Sequence, residues 1–372
     1  MLDELRNEID AIDKEMLVLF EKRMDVAKQV GAYKKERNLP IFVPEREEAV
    51  IKSRVAALKN PEYNELTADF FNHVMQLSRR LQASDGKAPI VELAQEEPRV
   101  AYLGRPGSFS EEALFKFFPR ARQAVAAETF SGIFNHLKEN RVDYGVLPIE
   151  NTSTGTITEV LDLLCAHDFY IIGEAVLKVS QNLAALPGTK LSDVRRVYSH
   201  PQALAQCADF LNTLPDVQRI PLESTADSAH FVAAQTDGQS AAVVSKRAAA
   251  LYGLAILKEG IQGNDINTTR FVVIAKKQRT DLNANKISLV FTLPHKSGSL
   301  HSVLSCFAEH GLNLLYIESR PLAGRNFEYS FYTDFSGTPG GAEEKKALEE
   351  IKKLASSLRV LGVYKAAEES LS

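Results

Sequence analysis

A chain of 372 residues is too long for one ordinary hydrophobic core, so it predicts two or three domains. Its composition, 45% hydrophobic and 25% charged, is typical of a globular protein, and a net charge of −4 favours neither a nucleic acid nor a membrane surface as a partner. The sequence has no leader-like segment and no apolar run near ~18 residues. We therefore expect a cytoplasmic protein.

The three cysteines, Cys165, Cys207 and Cys306, lie far apart in the chain. They form no Cys-x-x-Cys pair and no Cys/His spacing typical of zinc. We expect them to be buried, reduced thiols, and we expect no metal and no cofactor.

Residues 1–83 are predicted to be helical throughout. In the first ~35 residues, apolar side chains recur at alternating steps of three and four, from Leu2 to Tyr33, which is the pattern of a heptad seam. A helix of that length spans roughly 50 Å. The two shorter helices predicted to begin at Pro44 and near residue 65 cannot cover it. We therefore expect a partner chain, in a homodimer or a higher homo-oligomer.

Polar residues interrupt the apolar faces of these helices. Arg23 occupies a seam position, and Lys34 lies about three turns further along the same face. Ser78 and Gln82, four residues apart, share one face of the third helix. With Glu47 as the one carboxylate of the set, the missing negative charge is predicted to be a small dianionic substrate, because an unpaired buried guanidinium is costly. For Arg23 alone a second interpretation stays open, in which a polar seam residue only fixes register or partner choice.

The helical block resembles the all-helical chorismate mutase domain, an all-α dimer. The residues that carry this resemblance are Leu5-Arg6, Arg23 through Gly31 to Lys34, Arg46-Glu47, and Ser78 with Gln82. The resemblance implies rearrangement of chorismate to prephenate, a reaction that needs no nucleophile and no proton transfer and depends on orientation and electrostatics. The family usually has Asp three residues before the Arg-Glu pair, where this chain has Val43.

Roles within the mutase site follow from the same resemblance. Arg6 from one copy and Arg23 from the other clamp the two substrate carboxylates. Lys34 and Gln82 face the ether oxygen, where negative charge grows as the C–O bond breaks, and Glu47 contacts the ring hydroxyl. The predicted substrate contacts are Arg6, Arg23, Lys34, Val43, Arg46, Glu47, Ser78 and Gln82.

Residues 84–97 are predicted to be a linker, because they lack apolar periodicity and hold glycine and prolines. Residues 98–276 then alternate short apolar runs with helical patterns, which indicates an α/β domain with enough strands for two small lobes. A ligand is expected between the lobes, at the strand ends. His200 is interpreted as structural or orienting, because no nucleophile is placed for it to activate.

This second block resembles prephenate dehydratase, and the motifs that carry the resemblance are GSFS, PIENTSTG, YSHPQ, ESTAD and TTRF. GSFS alone also suits either an anion site at a helix N-terminus or a plain strand–turn–helix corner. The resemblance implies a two-lobed α/β fold with an interlobe site that removes CO₂ and the ring hydroxyl from prephenate, giving phenylpyruvate. Thr269 falls on the family's essential threonine, as proton donor or as hydrogen-bonding partner of that hydroxyl. The supporting site residues are Asn151, Ser199, Gln202, Glu223, Ser224, Thr225 and, for a substrate carboxylate, Arg270.

Residues 285–366 give the element order βαββαβ, which predicts an α+β ferredoxin-like domain. Two segments, Gly298-Ser299-Leu300 entering the first helix and Glu318-Ser319-Arg320-Pro321 ending the second strand, resemble the markers of the ACT domain that binds L-phenylalanine. Ser299 stands where that family usually has Ala. The implied allosteric residues are Gly298, Ser299, Leu300, Glu318, Ser319, Arg320 and Pro321. An interface domain that has lost its ligand is the alternative interpretation.

Together the three resemblances predict a multidomain bifunctional enzyme of phenylalanine biosynthesis, inhibited by its end product. Chorismate, prephenate and L-phenylalanine are the expected partners. One alternative is a prephenate or arogenate dehydratase whose helical block is only a dimerisation arm. Another is a non-enzymatic, two-lobed amino-acid-binding protein with an ACT sensor, which leaves Thr269 and the cation-rich helices unexplained.

Overall fold

The computed structural model describes residues 2–37, 39, 44–83, 97–263, 266–279, 281, 283–322 and 328–367. The chain divides into two compact units. One unit contains the N-terminal helices together with Thr338–Lys346, and the other contains the rest of the described chain. Of the predicted linker, residues 84–97, only residue 97 is among the described residues. Val43 also lies outside them.

The N-terminal unit is built from three helices, α1 (Leu2–Glu36), α2 (Pro44–Ala56) and α3 (Asn64–Ala83). A 3-10 turn at Pro61–Tyr63 precedes α3, and the Asn60 side chain caps that turn by accepting from the backbone N–H of Glu62. Helix α3 packs against both α1 and α2. The prediction of one helix of about 35 residues followed by two shorter ones is confirmed.

The apolar seam of α1 remains exposed in a single chain. Leu5 is 52% exposed, Ile12 is 52% exposed and Leu19 is 64% exposed. These values are high for large apolar side chains repeated along one helix face. Among the described residues, α3 packs on the second half of α1, where Ala27 is 7% exposed and Gly31 is buried.

The first α/β lobe is built on a mixed sheet of order β2-β1-β3-β11-β5, with β4 paired to β3. Its strands are β1 (Arg99–Leu103), β2 (Gln123–Ala127), β3 (Tyr144–Asn151), β4 (Gly155–Thr156), β5 (Tyr170–Lys178) and β11 (Thr268–Ala275). Its helices are α4 (Phe109–Phe117), α5 (Phe130–Lys138) and α6 (Thr158–Ala166). Strands β2, β1 and β3 are parallel, whereas β11 is antiparallel to both β3 and β5.

The second lobe is built on a sheet of order β10-β6-β9-β7-β8. Its strands are β6 (Asn182–Ala185), β7 (Arg196–Ser199), β8 (Gln218–Pro221), β9 (Ser240–Val244) and β10 (Ala255–Lys258). Its helices are α7 (Pro201–Gln206), α8 (Ala208–Asn212), α9 (Thr225–Ala233) and α10 (Lys246–Leu251). The chain enters this lobe after β5 and returns to the first lobe at β11, so β11 is the returning strand.

Helix starts in both lobes follow the capping chemistry of serine and threonine. Each of four helices begins after a hydroxyl residue whose side chain accepts the backbone N–H three residues ahead: Ser108, Thr129, Ser224 and Ser245. These caps place the polar motifs of the sequence at the carboxyl ends of strands, which is the edge of an open α/β sheet where ligands bind.

The C-terminal domain is an antiparallel sheet of order β13-β14-β12-β15 with two helices, which matches the predicted βαββαβ order. Its strands are β12 (Lys286–Thr292), β13 (Leu314–Pro321), β14 (Tyr329–Ser336) and β15 (Ser357–Tyr364), and its helices are α11 (Ser299–Glu309) and α12 (Ala342–Leu354). One sheet face packs on Phe307 and Ile351 of the helices. The other face, through Tyr332 and Tyr364, joins the core of the first lobe.

Strand β15 of the C-terminal sheet lies close to β5 of the first lobe. A Cβ atom on Gly362 would lie 2.1 Å from the carbonyl oxygen of Ile171, so only glycine allows this approach. Two of the cysteines, Cys207 and Cys306, are buried as expected, whereas Cys165 is only partly buried; all three are free thiols. No helix in the described part of the chain is long and apolar enough to cross a membrane.

Candidate active sites

Arg23 and Ser78 come together between α1 and α3. The Nη1 atom of Arg23 donates to the Ser78 hydroxyl and to the Val74 carbonyl oxygen, the latter over 3.2 Å. The Ser78 hydroxyl in turn donates to the same Val74 carbonyl over 2.9 Å. Ser78 is 6% exposed, so this is a largely buried contact that holds the guanidinium at a defined height on the helix pair.

Gly31 explains how Gln82 is brought against α1. A Cβ atom on Gly31 would lie 3.0 Å from the Cα atom of Gln82, so the two helix backbones touch at this point. The Oε1 atom of Gln82 is buried and accepts no hydrogen bond from any described residue. Lys34 is one turn beyond Gly31 and is half-buried. The sequence-predicted residues Arg23, Ser78, Lys34 and Gln82 therefore follow one α1–α3 interface.

Arg6 is not part of that cluster within one chain. Arg6 and Arg23 are roughly 25 Å apart along α1, which is too far for both to bind one small dianion. Arg6 is exposed, as is Arg46 in α2. Glu47 also lies in α2, and Val43 lies outside the described residues.

In the α/β unit, Asn151 and Thr269 form the centre of the second site. They are directly opposite each other on β3 and β11. The Nδ2 atom of Asn151 donates to the Thr269 hydroxyl oxygen over 2.8 Å. Both side chains are 8% exposed. Because the hydroxyl oxygen accepts this bond, its own hydrogen points away from Asn151.

The Asn151 side chain also organises the loop that follows β3. Its Oδ1 atom accepts from the backbone N–H groups of Ser153 and Thr154 over 2.9 and 3.1 Å. Its Nδ2 atom donates to Asn267 Oδ1 over 2.8 Å. Asn267 then donates to Gln206 Oε1 of the second lobe over 3.0 Å. Asn151 therefore ties the loop, the returning strand and, through Asn267, the second lobe together.

Asn267 and Gln206 were not among the residues predicted from sequence. Asn267 is 2% exposed and bridges the lobes next to Thr269, where a buried amide needs partners for its donors and acceptors. Its place immediately before the TTRF motif was the available signal. Gln206 had no comparable signal, because it lies at the end of α7, four residues beyond the YSHPQ motif.

The predicted residues of the second lobe lie at the ends of β7 and β8. Ser199 is fully buried and donates to the Val243 carbonyl over 2.7 Å. His200 caps α7 by accepting from the backbone N–H of Gln202, in agreement with a structural or orienting role. The Ser224 hydroxyl caps α9, which begins at Thr225, and Glu223 is exposed beside it.

The turn of the GSFS motif contacts the second lobe. A carboxylate oxygen of Glu111 accepts from the backbone N–H of Gly107 over 2.8 Å, so the protein's own carboxylate occupies the anion position at the start of α4. The same oxygen accepts from Arg247 of α10 over 3.0 Å. The Ser245 hydroxyl donates to the Gly107 carbonyl over 3.3 Å. This motif therefore joins the lobes.

Arg270 projects from the face of β11 opposite to Thr269, because successive strand residues alternate. Its guanidinium donates to Glu150 and Asp334 over 3.1 and 2.7 Å. The structure therefore brings Arg270 to carboxylates of the protein and does not bring it to the Thr269 cluster.

The predicted phenylalanine segments lie at the start of α11 and along β13. Gly298 is the N-cap of α11 with a left-handed φ of 83°. Glu318 accepts from the Thr156 hydroxyl of the first lobe over 3.1 Å. Arg320 makes two hydrogen bonds of 2.7 Å to Asp162 of α6. Ser299 and Leu300 open α11, whereas Ser319 and Pro321 are exposed on β13.

Two family models match this chain. Residues 5–83 match the family model of chorismate mutase type II, and residues 100–279 match that of prephenate dehydratase. A bifunctional chorismate mutase/prephenate dehydratase of Aquifex aeolicus is 35% identical over 369 residues, which cover 98% of this chain and 97% of the relative. The chain belongs to the bifunctional chorismate mutase/prephenate dehydratase family.

Two further relatives cover the α/β unit. The crystal structure of a prephenate dehydratase from Arthrobacter aurescens, in complex with L-phenylalanine, superposes with a TM-score of 0.66 at 31% identity, covering 72% of this chain and 89% of that one. Arogenate dehydratase 3 of Arabidopsis thaliana is 41% identical over 286 residues, covering 72% of this chain and 66% of that protein.

Proposed function

We propose that the α1–α3 interface catalyses the rearrangement of chorismate to prephenate and that the Asn151–Thr269 cluster converts prephenate to phenylpyruvate. The observation that carries the second assignment is the hydrogen bond of 2.8 Å from Asn151 Nδ2 to the Thr269 hydroxyl oxygen. It turns a weakly acidic hydroxyl into an oriented donor, because the oxygen already accepts an N–H.

For the mutase reaction, the side chains act as fixed charges and dipoles. Arg23, held by Ser78, binds one substrate carboxylate. Lys34 supplies positive charge where the ether oxygen becomes anionic as the C–O bond breaks. The Gln82 Oε1 atom is buried and accepts no hydrogen bond from a described residue. A rotation of the side-chain amide by half a turn places its NH₂ group there instead, where it donates to the ether oxygen of the substrate.

A dimer supplies the second carboxylate clamp in this proposal. Arg6 is roughly 25 Å from Arg23 on its own helix, so an Arg6 that acts at this site belongs to another copy of the chain. The exposed seam from Leu5 to Leu19 is the surface that a second α1 covers.

For the dehydratase reaction, the departing ring hydroxyl needs a proton donor, and ring aromatisation drives the loss of CO₂. The Thr269 hydroxyl donates to that leaving oxygen while Asn151 holds it in place. Gln202, at the start of α7, and Glu223, before α9, line the second lobe at strand ends that face a ligand between the lobes.

The C-terminal domain is proposed to be an ACT domain that binds L-phenylalanine and inhibits the dehydratase. The sheet order supports this assignment. The positions of the two segments support it as well, because Gly298–Leu300 lies at the start of α11 and Glu318–Pro321 at the end of β13. The Glu318–Thr156 and Arg320–Asp162 contacts connect the second segment to the first lobe. Ligand binding at that segment can therefore act on the lobe that holds Thr269.

The test is to supply chorismate to the full-length protein and to follow prephenate and phenylpyruvate by chromatography, with and without L-phenylalanine. We expect prephenate to appear first and phenylpyruvate to follow, with only the second step slowed by phenylalanine. If chorismate remains unconverted while added prephenate is consumed, the helical block is a dimerisation arm and the mutase assignment is wrong.

The similarity to an arogenate dehydratase supports a second candidate substrate for the α/β unit. Arogenate carries an amino group where prephenate carries a keto group, and the leaving hydroxyl is the same. Comparing kcat/KM for the two substrates in the same preparation decides between them.

A further inference from the structure

Two cations and two carboxylates are buried together where the first lobe meets the C-terminal sheet. Arg270 Nη1 donates to Asp334 Oδ2 over 2.7 Å, and Lys286 Nζ donates to Glu174 Oε2 over 2.9 Å. Arg270 Nη1 also lies 3.4 Å from Glu174 Oε2, and Lys286 Nζ lies 3.9 Å from Asp334 Oδ2. We call these four residues the ion cluster. Its side chains are between 0% and 12% exposed.

Two pairs of the ion cluster, Arg270–Asp334 and Lys286–Glu174, join the two sheets. Glu174 and Arg270 lie on β5 and β11 of the first lobe, whereas Lys286 and Asp334 lie on β12 and β14 of the C-terminal domain. Two positive and two negative charges balance, and charges removed from water interact far more strongly than exposed ones. Burial alone would lower the pKa of the Arg270 guanidinium, but Asp334 and the neighbouring groups raise it above its usual value.

The cluster acts directly on the strand that carries the catalytic hydroxyl. Thr269 is paired with Asn151, and the next residue, Arg270, is paired with Glu150. The register between β3 and β11 then shifts before Phe271. A bulge of this kind interrupts the regular ladder, so the position of Thr269 depends on side-chain anchors as well as on backbone pairing. Arg270 is such an anchor on the opposite face.

A second contact reaches the same pair of strands from the C-terminal sheet. The hydroxyl groups of Thr156 and Tyr316 are 2.5 Å apart, and Thr156 is paired with Glu150 through β4. The Arg270 guanidinium lies over the Tyr316 ring at 5.2 Å. The C-terminal domain therefore holds both strands of the catalytic pair.

We propose that Arg270 and Asp334 are positioning residues for the dehydratase reaction, and that the ion cluster fixes Thr269 against Asn151 by anchoring β11 to the C-terminal sheet. This inference rests on the proposed role of Thr269 as the hydroxyl donor. The C-terminal domain is in this view a part of the dehydratase even when no regulator is bound. The side chain of Arg270 does not touch the substrate.

The experiment compares Asp334→Asn and Arg270→Lys in the full-length protein. Asn is isosteric with Asp but removes one charge of the cluster. Lys keeps the positive charge but cannot reproduce the guanidinium fork that reaches Glu150 and Asp334 together. We expect kcat for prephenate, referred to the folded fraction from a thermal melt, to fall about tenfold to a hundredfold, because small displacements of a reacting group are that costly. KM should stay within about twofold, since no substrate contact is lost.

Asp143→Asn is the matched control, because Asp143 pairs with Arg99 over 2.9 Å at an exposed edge of the same lobe. It should have wild-type kcat and KM. A raised KM with unchanged kcat in the two cluster variants, or wild-type kinetics per folded enzyme, overturns the proposal. If Asp334→Asn does not fold, Arg270→Lys alone decides by the same criteria. Thr269→Ala separates the two hypotheses: if it retains full dehydratase activity, the proposed function of Thr269 is at fault rather than the cluster.

Discussion

The side-chain amide of Asn151 donates to the Thr269 hydroxyl oxygen over 2.8 Å, across two antiparallel strands that are far apart in sequence. The same amide group holds the loop after β3 through its oxygen. One buried side chain thus fixes both the orientation of the hydroxyl and the shape of the neighbouring loop. Neither function tolerates a change in the amide's donor and acceptor pattern.

Asn151→Asp should lower dehydratase kcat by roughly 100- to 1,000-fold, which is the usual effect of removing one oriented donor from an active site. The carboxylate keeps the shape but has no N–H, so the Thr269 hydroxyl turns to donate to Asp and no longer to substrate. Asn135→Asp, on the exposed side of α5, is the control and should be unchanged. Steady-state kinetics with prephenate measure both, and a loss of less than about threefold would argue against the arrangement.

Lys34→Ala should lower mutase activity by roughly 100- to 1,000-fold and leave dehydratase activity intact, because the developing charge on the ether oxygen loses its counter-charge. The neighbouring Lys35→Ala removes the same charge from an exposed position about 100° further round the helix. Chorismate consumption is the measurement. Equal activity of the two variants would show that Lys34 does not serve the substrate.

Ile12→Lys should weaken dimerisation and with it the mutase reaction. Burying a charge in the seam costs about 2–3 kcal/mol, or roughly a hundredfold in the dissociation constant. Ala11→Lys adds the same charge away from the seam and is the control. Sedimentation and chorismate turnover, both over a range of protein concentration, test this prediction. A monomeric wild type with full mutase activity would contradict it.

The stability of the α/β unit should depend on pH through Cys207, a fully buried thiol. Burial raises its pKa to about 12, against ~8.5 in an unfolded chain. Because the folded state holds the proton more tightly, this contribution is complete below pH ~8.5 and is lost as pH rises towards 12. Between pH 8.5 and 10 the melting midpoint of wild type should fall faster than that of Cys207→Ala. If the melting midpoints of wild type and Cys207→Ala fall equally with pH, ionisation of Cys207 does not contribute to the pH dependence of stability.

The elements with strong periodicity could be predicted from the sequence. Burial of one or both faces of an element produces a recognisable apolar pattern in the sequence. This holds for the seam of α1 and for the apolar runs of β3, β5 and β11. Strands β2, β6, β8 and β10 have no comparable signal in the sequence. They are four or five residues long, and most lie at or near sheet edges, where neighbouring strands rather than local pattern determine pairing.

The sequence predicted that Asn151 and Thr269 share a site, and the structure brings the two together. It did not predict the contacts that these residues make with other elements. Thr269 and Arg270 are adjacent in the sequence, which suggested a shared task at the substrate. Strand alternation sends Arg270 to Asp334 instead, a residue of another domain that no local pattern connects to it. Asn267 was missed for a similar reason, since its role depends on Asn151 and Gln206, which come from distant elements.

The decisive measurement is the kinetics of Thr269→Ala, which shows whether the Thr269 hydroxyl assists departure of the ring hydroxyl. The variant is supplied with chorismate, and both products are followed in one reaction. We expect wild-type formation of prephenate, which then accumulates while phenylpyruvate formation falls at least about 100-fold. Phenylpyruvate produced at the wild-type rate would contradict this expectation.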